Sequence, residues 1–255
     1  MSIQPLAVEI SSLVKTYAGV RAVDDLSLSI PQSCFFGFLG PNGAGKTTTI
    51  KMLMGLSQPD SGTIRILGRN LPDESLEIKR QIGLVPDDSL LFDYLKGGEY
   101  LEFIGRLYGL SRVLSKERAQ ELLELFQLAE SERKLIGEYS KGMRKRIAMA
   151  AALIHRPKLF LMDEPFEGVD AVGARLMKDI LLEQVAHGAT VFLTSHVLDV
   201  VERLCDLVAI INRGRIVTQG TMIELRHSAG SEGTLEDVFV NLVGGDRYSE
   251  KLNWL

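Results

Sequence analysis

The sequence predicts an α/β fold: a mainly parallel sheet with helices on both faces, antiparallel β-structure at the start, and an inserted block of helices. Three observations carry this. An apolar run, Phe35 to Leu39, enters Gly40-Pro41-Asn42-Gly43-Ala44-Gly45-Lys46-Thr47, and Thr47 to Leu53 then reads as a helix. That is the strand–loop–helix setting of a phosphate-binding loop. Strand-like and helix-like stretches alternate again after residue 158, as parallel sheets require. From about residue 94 to 155 the apolar spacing is helical throughout.

Taken in order, Val8, Ile10 and Leu13, then Val23, Leu26, Leu28 and Ile30, alternate as strands do, with Ala18-Gly19 as the turn between them. Pro31 and Gln32 break the chain before the Phe35–Leu39 strand. Thr63 to Leu67, between Gly62 and Gly68, and Ile82 to Val85, stopped by Pro86, read as short strands. In the helical block, Leu95, Tyr100, Leu101, Ile104, Leu107 and Tyr108 share one face. Leu122, Leu123, Leu125, Phe126 and Leu128 form a second cluster. Ser140 is an N-cap for a third helix running to about Ile154. Then follow Leu159–Met162, a helix over Ala171–Ala186, Thr190–Thr194, a helix after His196, Leu207–Ile211, and a turn at Arg213-Gly214 into Ile216-Val217.

The chain has 255 residues, enough for one large domain or a core with an inserted subdomain. Its net charge is −4, which argues against a nucleic-acid surface. Cys34 and Cys205 lie far apart in sequence, outside any C-x-x-C pair, and read as buried free thiols. No basic-then-apolar leader opens the chain, and no apolar run reaches the ~18 residues a spanning helix needs. A cytoplasmic chain is the expectation; any work at a membrane would need another polypeptide to cross it.

The loop is the strongest chemical signal. It satisfies G-x-x-x-x-G-K-S/T at every fixed position. Glycines turn backbone N–H groups toward phosphate oxygens, and the helix N-terminus adds a positive end. Lys46 would reach the β- and γ-phosphates and the Thr47 hydroxyl would ligate Mg²⁺. A second signal is Leu159 to Glu164, an apolar strand ending in two carboxylates. Alternation along a strand would send Asp163 and Glu164 to different faces, one toward the metal and one toward an attacking water. A third strand ends at Thr194-Ser195-His196. His196 is a candidate for the γ-phosphate or the water, although a lone histidine after a strand is more often structural. Ser140-Lys141-Gly142-Met143 opens a helix, and suits an anion and plain capping equally. Lys141, Arg144, Lys145 and Arg146 read as a solvated basic face of that helix.

Together these residues resemble the ATP-binding subunit of an ABC (ATP-binding cassette) transporter, from about Val8 to Gly244. Gly40 to Thr48 match the Walker A loop and Leu159 to Glu164 match Walker B. Tyr139 to Met143 match the signature, Glu167 to Asp170 the D-loop, and Thr194-Ser195-His196 the switch histidine. Tyr17 sits where the family stacks an aromatic ring on adenine. Val85-Pro86-Asp87 sits at the Q-loop, with an acid where glutamine is usual. In the signature, Lys141 replaces a glycine and Met143 a glutamine. With Gly83 to Pro86 and Leu235 to Phe239, this variant looks most like the ABC-2 branch of exporters.

The resemblance implies a P-loop NTPase (RecA-like) core over residues 1–93 and 156–244, a helical signature subdomain over 94–155, and a tail over 245–255. It implies ATP and Mg²⁺. Tyr17, Gly40, Asn42, Gly43, Ala44, Gly45, Lys46, Thr47 and Thr48 would bind nucleotide, with Ser140 and Gly142 supplied by a second cassette paired head to tail. Thr47, Asp87 and Asp163 would serve the metal, and Glu164, His196 and Lys46 the hydrolysis. A membrane-spanning permease would dock near Asp88 to Leu95, where Leu90, Leu91, Phe92 and Tyr94 are candidates for that patch or for core. The chain would act peripherally on the cytoplasmic face of the membrane. Two other readings are a soluble ABC-type ATPase without transport and a non-hydrolysing ATP-binding regulator. Glu164 and His196 argue against the second. The single cassette and the lack of a heptad run or basic tail argue against the first.

Overall fold

The computed structural model describes residues 5–87, 91–228 and 234–243. Its elements in chain order are β1 (Leu6–Tyr17), β2 (Val20–Pro31), β3 (Phe35–Leu39), α1 (Lys46–Leu53), β4 (Ser61–Ile66), β5 (Arg69–Leu71) and α2 (Ser75–Lys79). Then come β6 (Ile82–Val85), α3 (Gly97–Leu107), α4 (Arg112–Leu125), α5 (Lys141–Leu153), β7 (Leu159–Asp163) and α6 (Ala171–Ala186). The chain continues through β8 (Thr190–Ser195), α7 (Leu198–Leu204), β9 (Leu207–Asn212), β10 (Arg215–Gly220), α8 (Met222–Ser228) and α9 (Leu235–Val243).

Two sheets form. The larger has the order β10-β9-β3-β8-β7-β6 and is parallel except for β10. The smaller, β2-β1-β4-β5, is antiparallel. β3, β7 and β8 are buried at every position, which is why they read as continuous apolar runs rather than alternating ones. Their side chains still divide between two faces. Phe36, Phe38, Leu161, Phe192 and Ile211 pack with α1 under the antiparallel sheet. Phe35, Leu39, Phe160, Met162, Val191 and Leu193 pack under the helical layer, in one cluster with Leu101, Phe126 and Ile147 of the inserted block. The order of strands puts β8 between β3 and β7, so the loop after β3 and the ends of β7 and β8 open on one edge of the sheet.

Local chemistry sets the helix starts. Ser111, Ser140 and Asp170 each accept a backbone N–H three residues on, capping α4, α5 and α6. Some sequence readings need correction. Leu107 and Leu125 point into solvent rather than joining the apolar faces assigned to them. In α4 the buried stripe is Ser115, Ala119 and Leu123, one residue per turn. β5 and α2 fill a stretch that carried no clear period. Leu90, the Asp88 end of the expected docking stretch, Gly244 and the tail lie outside the described residues. Among the described residues, no helix is long and apolar enough to cross a membrane.

Candidate active site

The loop after β3 is shaped by contacts that only glycine permits at two positions. A Cβ at Gly40 would lie 2.4 Å from the Ile211 carbonyl oxygen, and one at Gly45 the same distance from that of Ala22. Gly45 also takes φ +109°, outside the range of L side chains. Gly43, by contrast, faces open space, where a ligand can approach the backbone. Lys46 is buried and folds back along the loop, its Nζ donating to the Gly40 and Pro41 carbonyls at 2.7 and 3.2 Å. Burial lowers its pKa, while the charges of Glu164 and Asp163 act in the opposite sense. The ammonium is thus held inside the loop by weak neutral acceptors that an anion can replace. Ala44 is buried, Thr48 half-buried, and Asn42 exposed at the loop's tip.

The end of β7 supplies two carboxylates with different surroundings. Asp163 is buried, and both of its oxygens accept hydroxyl hydrogens. Thr47 Oγ1 donates to Oδ2 at 2.9 Å, and Thr194 Oγ1 to Oδ1. Strand alternation is not what separates Glu164 from it. β7 stops at Asp163, and Glu164 leaves in the left-handed region at φ +47°, its N–H held by Thr194. Its carboxylate then meets His196 Nδ1 at 2.9 Å. Burial raises the Glu164 pKa; the His196 hydrogen bond, the His196 charge and Lys46 restrain the rise. A carboxyl so placed is a better proton acceptor than a solvated one.

Glu164 and His196 border one open cavity of about 490 Å³, together with Gly40, Pro41, Asn42, Asp87, Glu167, Ser195, Leu198 and Phe239. Thr47 and Asp163 offer a hydrogen-bonded pair of hard oxygen donors. They form no dedicated cage: among the described residues no cluster of three or more His, Cys, Asp or Glu could hold a metal alone. That suits Mg²⁺, which takes one or two protein oxygens and fills its shell with phosphates and water. The cavity joins Gly40, Asn42, Asp87, Glu164 and His196, and its wall includes Phe239, which sequence reasoning assigned no role at the site.

Several expected participants are not among the residues lining that cavity: Lys46, Thr47 and Asp163, and also Tyr17, Ser140 and Gly142. Tyr17 ends β1 half-exposed, its hydroxyl 3.1 Å from Ser57 Oγ and its ring 5.4 Å from Lys15 Nζ. Ser140 and Gly142 sit at the α5 N-terminus, where Ser140 Oγ accepts from Met143 N and a Cβ at Gly142 would lie 3.1 Å from the Gly168 oxygen. The four basic residues of α5 do not form the solvated face their spacing suggested. Lys141 pairs with Glu167 at 2.7 Å and Arg144 with Asp93 at 2.6 Å. Arg146 donates to Phe126 O at 3.2 Å. Lys145 is 2% exposed and reaches Asp87. Cys34 and Cys205 are free and buried, and burial pushes the Cys34 thiol up to about 12.

Comparison with known proteins agrees with this geometry. Residues 23–167 match the family described as ABC transporter. The daunorubicin/doxorubicin resistance ATP-binding protein DrrA of Streptomyces peucetius is 42% identical over 91% of this chain and 70% of its own length. The Nod factor export ATP-binding protein I of Ralstonia nicotianae is 37% identical over 88% of this chain and 70% of its own. A solved ATP-binding subunit of an ABC transporter superposes with a TM-score of 0.87 at 31% identity, covering 92% of this chain and 99% of that one. A dimeric post-hydrolysis ATP-binding cassette bound to ADP and Pi shares the fold, with a TM-score of 0.79 at 24% identity, covering 84% of this chain and 98% of that one. The chain belongs to the ABC transporter family as an ATP-binding subunit, an ABC-type ATPase.

Proposed function

We propose that this chain is the motor of an exporter: two cassettes close head to tail on two ATP, and hydrolysis reopens them to drive a separate membrane-spanning permease. The observation that carries the reading is the placement of Ser140 and Gly142. They have anion-binding character at a helix N-terminus, yet stand off the wall of their own chain's phosphate cavity. A second cassette facing the first would use them on its ATP. Lys46 would exchange its two carbonyl partners for phosphate oxygens, and Tyr17 would offer its exposed ring to the adenine. Glu164 would accept the proton of the attacking water, and His196 would fix the carboxylate's orientation. Thr47 and Asp163 would hold Mg²⁺, which when bound neutralises phosphate charge, and Asp87 would touch its water shell. Export is favoured by relatives named for drug resistance and Nod factor export. The chain would then sit on the cytoplasmic face of the membrane.

The pairing is tested by light scattering of Glu164→Gln with and without ATP. The reading predicts an ATP-dependent dimer that Ser140→Arg abolishes. A monomer at every ATP concentration would contradict self-pairing and direct the search to a different partner cassette.

A further inference from the structure

The α5 helix carries two lysines one turn apart, and each is bound to an acid on the rim of the phosphate cavity. Lys141 holds Glu167 at 2.7 Å, and Lys145 stands 3.6 Å from the Asp87 carboxylate. Lys145 does more than pair. Its Nζ donates to the Asp87 carbonyl at 2.7 Å and the Pro86 carbonyl at 3.1 Å. A lysine with only 2% of its side chain exposed would lose more from burial than one half-exposed carboxylate at ion-pair distance returns, and the two carbonyls supply its hydrogen-bond acceptors. Burial lowers its pKa and Asp87 opposes that.

This bears on the acid at position 87. A carboxylate on the rim of a cavity built for a polyphosphate repels its ligand unless it is neutralised. We infer that Lys145 is a positioning residue for the reaction: it cancels the charge that Asp87 brings to the cavity and ties the Pro86–Asp87 bend to the helix whose first turn carries Ser140 and Gly142. The two residues act as one unit, an acid on the loop and its counter-ion on the signature helix. The inference rests on the reading of the cavity as an ATP site.

The test is ATP affinity measured by equilibrium titration of the intact chain without Mg²⁺, which needs no hydrolysis and removes any part Asp87 plays at the metal. Lys145→Met should raise Kd about three- to tenfold, the scale of an uncompensated, partly screened charge. Asp87→Asn alone should lower it, and the double variant should return near the wild-type value. Lys145→Arg should stay near wild type. A filler role for Lys145 would make its loss independent of residue 87. Unchanged affinity in a folded Lys145→Met, or a double variant no better than Lys145→Met, overturns the inference. Should Lys145→Met fail to fold, Asp87→Asn still decides, because affinity equal to or weaker than wild type overturns it. Wild-type protein that binds no ATP overturns the ATP-site reading itself.

Discussion

Glu164 holds a left-handed backbone, φ +47°, that costs a non-glycine residue free energy and persists only where its surroundings enforce it. Thr194 enforces it from the neighbouring strand, and the same hydroxyl donates to Asp163. One threonine therefore separates the two carboxylates, turning one to the cavity and keeping the other at the loop. Because burial raises the Glu164 pKa, the acidic limb of turnover should lie above the ordinary carboxylate range, with activity rising as the group loses its proton. His196 acts to lower that pKa, so His196→Ala should move the limb to higher pH; a profile of kcat against pH in both proteins checks this. At this scale the sequence was partly legible. Lys46, Thr47, Asp163 and Glu164 announce themselves by motif. Lys145 did not, because spacing along a helix cannot tell a solvated lysine from one buried against a loop 58 residues earlier.

At the scale of elements, α5 is pressed onto β6 with no room between them. A Cβ at Gly83 would lie 2.6 Å from the Ala152 carbonyl oxygen and 2.9 Å from Pro157. Gly83→Ala should cost about 1–3 kcal/mol, the usual penalty of overpacking, seen as a lower thermal midpoint. A midpoint equal to wild type would show that α5 can lift off β6 freely. Fully buried strands were readable: β7 and β8 because their apolar runs end at polar tips, β3 because its run enters the glycine-rich loop. The short β5 and α2 were not. They are fixed by tertiary pairing, Ile64 with Leu71 and Ile66 with Arg69, and by the burial of Ile78, none of which leaves a local period. Leu107 and Leu125 misled because a long apolar side chain near a helix end carries no sign of which way the chain will turn.

At the scale of the whole molecule, an exposed aromatic stretch follows the Pro86–Asp87 bend in sequence and precedes α3. Tyr94 is 91% exposed and Phe92 54%, the latter edge-on to Phe103 at 5.5 Å. Such rings on a surface suit a partner helix. Phe92→Ser with Tyr94→Ser should leave ATP hydrolysis by the isolated chain unchanged while reducing co-purification with a membrane-spanning subunit. Retained co-purification would place the docking surface elsewhere. The helical layer and the strand core share one hydrophobic cluster, so packed side chains join them.

The most direct test of the central claim is steady-state ATP hydrolysis by wild type and Glu164→Gln, with ATP binding measured in parallel. The account predicts retained binding and turnover lower by about 10²–10⁴-fold, the range of a lost general base. Undiminished turnover in Glu164→Gln would contradict it, because among the described residues no other carboxylate lining the cavity is paired with a histidine.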